Sequence, residues 1–156
     1  MKIKILALGK VKEKYIKDGI NEFLKRLSAY TNVEIIEINA ISVKDENLIQ
    51  KVLQQEGEKI LPHIKANSFV ISLEIEGANF SSEKFAQKID AISKHGYNEM
   101  VFIIGSSHGL AKIISDRADL ILSLSKMTFL HEFARLILIE QIYRAFKILK
   151  GETYHK

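Results

Sequence analysis

Short apolar runs rich in β-branched residues alternate with segments of helical periodicity along all 156 residues of this chain, and that alternation leaves few folds open to it. Lys2–Leu8 alternates and then runs apolar, as a strand does. Glu13–Tyr30 sets Tyr15, Ile16, Ile20, Phe23, Leu24, Leu27 and Tyr30 at helical spacing. Val33–Ala40 reads as a strand through Val33, Ile35, Ile36 and Ile38. Asp45–Ile64 reads as a helix whose last turn Pro62 disturbs. Phe69–Ile75 is the third strand. Ser81 or Ser82 caps the next helix, which runs to about Lys94 with Glu83 near its positive end, and His95-Gly96 ends it. Then come Met100–Ile104, a short helix near Leu110–Arg117, Leu120–Leu124, and a helix from about His131 to Lys150 that Gly151 stops. This βαβαβαβαβα order predicts an α/β fold, a mainly parallel sheet of five to six strands with helices on both faces. No repeat, low-complexity tract or linker interrupts it, so residues 1–156 read as one domain. Right-handed, unknotted crossovers are favoured in general, but they do not select one strand order.

Composition narrows the chemistry. There is no cysteine, which excludes a disulfide framework, a thiolate nucleophile and a cysteine-ligated zinc. The apolar run Ile5–Leu8 is too short for the core of a signal peptide, and no stretch is long enough to span a membrane. The expectation is a cytoplasmic protein with no membrane partner. Five histidines, His63, His95, His108, His131 and His155, lack metal-ligand spacing, so no metal is expected. Residues 1–30 carry eight Lys or Arg against three Asp or Glu, and residues 135–156 carry five against two. The middle is mildly acidic. Basic ends on an acidic body fit a phosphate-binding face, and they equally fit lysines that solvate two surface helices.

Candidate ligand-binding segments follow the strands, because ligands of open α/β sheets lie outside the strands' carboxyl ends. Gly9-Lys10-Val11-Lys12 lacks the second and third glycines of a dinucleotide fingerprint and reads as a turn into a basic helix. In Leu73-Glu74-Ile75-Glu76-Gly77 the glycine lets the chain turn, a structural role more often than a functional one. Gly105-Ser106-Ser107-His108-Gly109 lacks the ending of a P-loop. Its glycines allow close approach to a ligand, and His108 is either a catalytic group or a solvated turn residue. Ser125-Lys126-Met127-Thr128-Phe129 places Met and Phe in a loop, where they need core, ligand or a partner subunit to pack on. The last helix carries an apolar stripe too wide for one face, so it is central or shared with a second subunit. Tyr154-His155-Lys156 is a frayed tail or a tail laid over a ligand.

Six of these segments occur together and in order. They are Met1 to Lys10, Leu73 to Gly77, Phe102-Ile103-Ile104-Gly105, Leu124 to Phe129, Glu140-Gln141-Ile142-Tyr143-Arg144-Ala145-Phe146, and Tyr154-His155-Lys156. With them the chain resembles, from end to end, the bacterial SPOUT-class methyltransferases that methylate N3 of pseudouridine 1915 in 23S ribosomal RNA. The resemblance implies a deep trefoil knot at the C-terminal end of the sheet, and an obligate homodimer with the last helix at its interface. It implies S-adenosylmethionine as cofactor, held in the knot loops at Leu73, Gly105, Leu124, Ser125, Lys126, Met127, Thr128 and Phe129. In the reaction that it implies, His155 is the first candidate for base or orienting group, and Tyr154 stacks on or bonds the target base. Arg135, Arg144 and Lys156 bind phosphate or the anionic base, Arg135 as part of the catalytic set.

Two positions depart from the family. Ser106 stands where a second glycine is usual, and strain is expected if that position needs positive φ. Leu130 stands where proline commonly precedes the helix-opening histidine, and a looser loop is expected. These departures leave a second class open, a catalytically weak or inactive knotted module that binds RNA or the ribosome. A third, a metabolic enzyme of a small phosphorylated ligand, has the missing phosphate-loop patterns against it.

Overall fold

The computed structural model describes all of Met1–Lys156. Its elements are β1 (Lys2–Leu8), α1 (Lys14–Leu27), β2 (Val33–Ile38), α2 (Ile49–Ile60), β3 (Ser68–Asn79), α3 (Ser82–Ser93), β4 (Glu99–Ile104), α4 (Lys112–Arg117), β5 (Leu120–Ser123) and α5 (His131–Leu149). All five strands are parallel, in the order β2-β1-β4-β3-β5. The expected alternation holds, with most helices shorter than the sequence pattern drew and β3 longer. The helix expected over Asp45–Ile64 is α2 flanked by two 3-10 turns, and Pro62 sits in the second of them, where it needs no N–H partner. Ser81 caps α3, its hydroxyl accepting the Lys84 N–H at 3.2 Å. No helix is long and apolar enough to cross a membrane.

The period-two alternation of β1 and β4 sorts the core into two layers. Ile3, Ile5, Ala7, Met100, Phe102 and Ile104 face α1, α3 and α5. Leu6, Leu8, Val101 and Ile103 face α2 and α4. In the first layer α5 lies between α1 and α3, and Leu138, Ile139, Ile142 and Ala145 are almost fully buried there. At the amino ends of the strands the Lys4 ammonium and Glu99 carboxylate pair in the core at 3.1 Å. Burial pushes Glu99 up, but the Ser68 hydroxyl and Lys4 outweigh it and leave its carboxyl below the usual range. That end of the sheet is stapled shut, and the opposite end is free to hold a ligand.

β3 runs four residues past its expected end because it bulges. Leu122 of β5 stands opposite both Leu73 and Ala78, so Glu74–Gly77 is extra chain pushed out of the ladder. Gly77 is required there for closeness, not for the turn that the sequence pattern implied. A Cβ at Gly77 would lie 2.7 Å from the Leu122 carbonyl carbon and 2.8 Å from the Ile121 backbone. Its φ is not positive.

Candidate active site

The carboxyl ends of β3, β4 and β5 surround a cavity of about 680 Å³, a size that suits a small organic ligand. β3 contributes Leu73 and, from its bulge, Glu74, Ile75 and Glu76 to its wall. The loop after β4 contributes residues 105 to 110, the loop after β5 residues 124 to 130 except Lys126, and α5 adds His131 and Ala134. Every residue expected to hold the cofactor lines this cavity except Lys126. Met127, Phe129 and Leu130 meet it with one side and remain exposed on the other.

Local chemistry fixes each wall. In the β4 loop a Cβ on Gly105 would lie 2.4 Å from the Gly109 carbonyl oxygen, so only glycine closes this turn. Gly109, at φ +91, donates its N–H to the Ser106 carbonyl at 3.0 Å. The close approach allowed by Gly105 is thus to Gly109. Ser106 carries no positive φ, so the strain anticipated there does not arise. Its hydroxyl donates to Glu56 Oε1 at 3.2 Å, and Glu56 Oε2 accepts the Ile41 N–H at 3.0 Å. Leu130 has φ −54 and ψ 135, angles that proline itself would take, so the chain enters α5 as a proline would guide it. In the β5 loop the Ser123 hydroxyl donates to the Ser125 carbonyl at 2.9 Å, and the Ser125 hydroxyl accepts the Met127 N–H at 3.0 Å.

The residues expected for catalysis and for RNA binding divide. Tyr154, His155 and Arg144 come together on α5 and α3, outside the cavity of their own chain. The Tyr154 hydroxyl donates to Glu140 Oε1 at 2.9 Å, and its ring meets Tyr143 edge-on at 4.9 Å. The Arg144 guanidinium lies 4.7 Å from the same ring centre and pairs with Glu140 at 2.5 Å. Burial, then the Glu140 carboxylate, push the Tyr154 phenol up. His155 Nε2 meets Glu83 Oε1 at 2.7 Å. Glu83 is held down to about 2 by its own backbone amide at the start of α3, then by His155 and the Ser81 hydroxyl. Lys156 is exposed beside them.

Arg135 is elsewhere, inside the fold where α5 meets β2 and the loop after β1. It is 2 % exposed, and its guanidinium donates to Glu37 at 2.7 Å and to the Gly9 carbonyl at 3.1 Å. Glu37 also accepts the Val11 N–H at 3.3 Å, and Glu132 accepts the Lys12 N–H. Arg135 is therefore a clamp between α5 and the loop after β1. Sequence reasoning in turn passed over Glu74 and His131. Their positions at a strand's carboxyl end and a helix's start were legible, but the bulge that brings Glu74 to the cavity wall was not. No cluster of three or more His, Asp or Glu side chains is arranged as a metal site.

A parallel sheet with its cavity ringed by the loops of β3, β4 and β5 is one expression of a known family. The chain belongs to the SPOUT methyltransferases: the family described as "Predicted SPOUT methyltransferase" matches residues 1–155. It is 49% identical over 160 residues to the protein named ribosomal RNA large subunit methyltransferase H in Carboxydothermus hydrogenoformans. It is 48% identical over 161 residues to the protein of that name in Streptococcus sanguinis, and both alignments cover the whole of both chains. In fold it is similar to a probable methylase family protein from Haemophilus influenzae, with a TM-score of 0.55 at 12% identity, covering 99% of this chain and 70% of that one. The methyltransferase family implies a methyl donor.

Proposed function

We propose that this chain methylates N3 of pseudouridine 1915 in 23S ribosomal RNA with S-adenosylmethionine, and that it acts as a homodimer. The observation that carries the reading is the cavity at the carboxyl ends of β3, β4 and β5, because the loops expected for the cofactor converge there. Its chemistry fits that cofactor. Leu73, Ile104, Leu110, Leu122, Leu124 and Phe129 offer apolar walls for a nucleobase. The charged side chains among its lining are acidic, which suits a cation. The trefoil knot that the family implies would account for so small a sheet gathering three loops at one point.

The bound cofactor supplies a methyl group on a sulfonium, a leaving group that needs no further activation. The chain's own task is to hold the target nitrogen in line with that methyl and to manage its proton. His155 takes or orients the proton, and Tyr154 stacks on or bonds the pyrimidine. Arg144 and Lys156 offset the charge of phosphate or of the anionic base. None of these four lines the cavity of its own chain. This separation supports a dimer in which a second copy brings its tail to the cavity. Exposed apolar side chains support it further: Met127, Phe129, Leu130 and Phe133 are close in sequence and accessible, and so is Tyr15, whose ring stands 6.1 Å from that of Phe133.

The test is methyl transfer from labelled S-adenosylmethionine to intact ribosomes lacking the modification, with the labelled nucleotide mapped. Label on N3 of that single large-subunit pseudouridine is expected. Label elsewhere would overturn the target. No label together with no cofactor binding would overturn the enzyme reading and leave an inactive RNA-binding module.

A further inference from the structure

We propose that the cavity selects its ligand by charge, and that Glu74 is the residue that distinguishes S-adenosylmethionine from S-adenosylhomocysteine. The inference rests on the cofactor reading above and goes beyond it. The chain as a whole is basic, with a formal net charge of +4. Its main cavity is the opposite. Among the lining residues the only ionisable side chains are Glu74, Glu76, His108 and His131, with no lysine or arginine. Lys126, in the middle of the β5 loop, is the one loop residue from 124 to 130 that does not line the cavity.

Glu74 is held where it stands. Its Oε1 accepts the Ser72 hydroxyl at 2.6 Å and the Ser115 hydroxyl at 2.9 Å, and no lysine, arginine or histidine pairs with it. Two neutral donors fix a carboxylate without cancelling its charge, so its field extends into the cavity. Behind the wall, Glu56 adds a second uncompensated carboxylate, 1 % exposed, bonded only to the Ser106 hydroxyl and the Ile41 N–H. Glu76 is exposed, so solvent and salt screen it more.

The cofactor and its product differ by one methyl and one charge. S-adenosylmethionine carries a sulfonium, an ammonium and a carboxylate, for a net charge of +1. Loss of the methyl leaves a neutral thioether, and the net charge falls to zero. A fixed carboxylate in a partly dehydrated cavity attracts the first and is indifferent to the second. Methyl transfer thus removes the attraction that held the ligand, and the product leaves a site that no longer favours it. The amino-acid carboxylate is common to both ligands, so whatever bonds it contributes equally to both.

The experiment is calorimetric binding of three ligands to wild type, Glu74→Gln and Glu76→Gln at low ionic strength. The ligands are S-adenosylmethionine, S-adenosylhomocysteine and sinefungin, which carries an amine in place of the sulfonium methyl. Glu74→Gln keeps an oxygen for the two serines and nearly the same volume. It is expected to weaken both cationic ligands by about fivefold or more and to change the neutral product by less than about twofold. Glu76→Gln should move that ratio less. In wild type, raising the salt concentration should narrow the preference for the cations, a readout that needs no variant to fold. Parallel weakening of all three ligands in Glu74→Gln would mean a packing role and overturn the proposal. So would an unchanged ratio, or a wild-type preference indifferent to salt. A wild type that binds none of the three would overturn the cofactor reading itself.

Discussion

Arg135 of α5 donates from Nη1 to Glu37 of β2 at 2.7 Å, and this pair ties the last helix to the edge of the sheet. Glu37 uses the same oxygen to hold the Val11 N–H, so the pair also fixes the loop after β1. Arg135 is buried, whereas the Glu37 side chain is 40% exposed. Its loss therefore costs less than that of a fully buried pair. Arg135→Ala is expected to lower stability by about 2–3 kcal/mol in urea titration. Cofactor affinity per folded molecule should stay within about twofold, because Arg135 does not line the cavity. Unchanged stability with lost methyl transfer would return Arg135 to the catalytic set.

Gly77 and Gly96 separate closeness from backbone conformation. A Cβ at Gly77 meets the backbone of β5 at 2.7–2.8 Å, and backbone has nowhere to go. Gly77→Ala should cost about 1–3 kcal/mol. It should also weaken cofactor binding, since β3 and β5 must part where their loops form the cavity. Gly96 sits at φ +80 with open space around it. Gly96→Ala should cost about 1 kcal/mol through strain alone and leave cofactor binding as it was. Thermal melts and calorimetry on the two variants read both effects. Equal effects on binding would rule out the bulge as the feature that shapes the wall.

The parts of this fold that were legible are those where one periodicity decides. β1 and β4 are buried on both faces, so their apolar runs could not be taken for amphipathic helix. The helix starts at Ser81 and His131 were legible from capping chemistry and from the polar loop before the last apolar stripe. Strand order was not, because β3 lies between β4 and β5 through pairings between residues about 50 positions apart, such as Leu73 with Leu122. The bulge at Glu74–Gly77 was hidden for a related reason: a β-strand sequence does not record that its neighbour is shorter. The loops that line the cavity were legible because their segments match the family. The roles of single charged residues were not. Arg135 and Arg144 stand nine positions apart on one helix, yet one is sealed inside and the other supports the tail. What decides between them is the partner across the gap, Glu37 for the first and Tyr154 for the second.

Leu130 offers a gain in stability. Its φ of −54 lies within the range that proline fixes, and its N–H donates no hydrogen bond. Leu130→Pro removes unfolded-state freedom at no cost in hydrogen bonds, and it should stabilise the chain by about 0.4–1 kcal/mol. A small rise in melting temperature is the expected result. A fall in melting temperature would show that the exposed Leu130 side chain, 53% accessible in one chain, is needed against a partner.

The tail's hold on Glu83 should depend on pH in one direction. Glu83 is lowered from 4.5 to about 2, first by its own backbone amide, then by His155 and the Ser81 hydroxyl. A carboxyl lowered by folding contributes in full above its ordinary value and loses that contribution as pH falls toward the lowered one. The docked tail should therefore be intact at pH 6 and loosen between about pH 4 and pH 2. Amide relaxation at residues 153–156 reads this directly, compared at each pH with the buried amides of β4 as a check that the core remains folded. His155→Ala should leave Glu83 still below the ordinary carboxylate range, because the backbone amide comes first. Glu83→Gln at neutral pH should reproduce the loosening and lower methyl transfer while cofactor affinity stays unchanged. His155→Ala should cut turnover much more than cofactor binding. If the Glu83→Gln tail is as rigid as the wild-type tail at neutral pH, the Glu83–His155 contact does not position the tail, and Glu140 with Tyr154 must hold it alone.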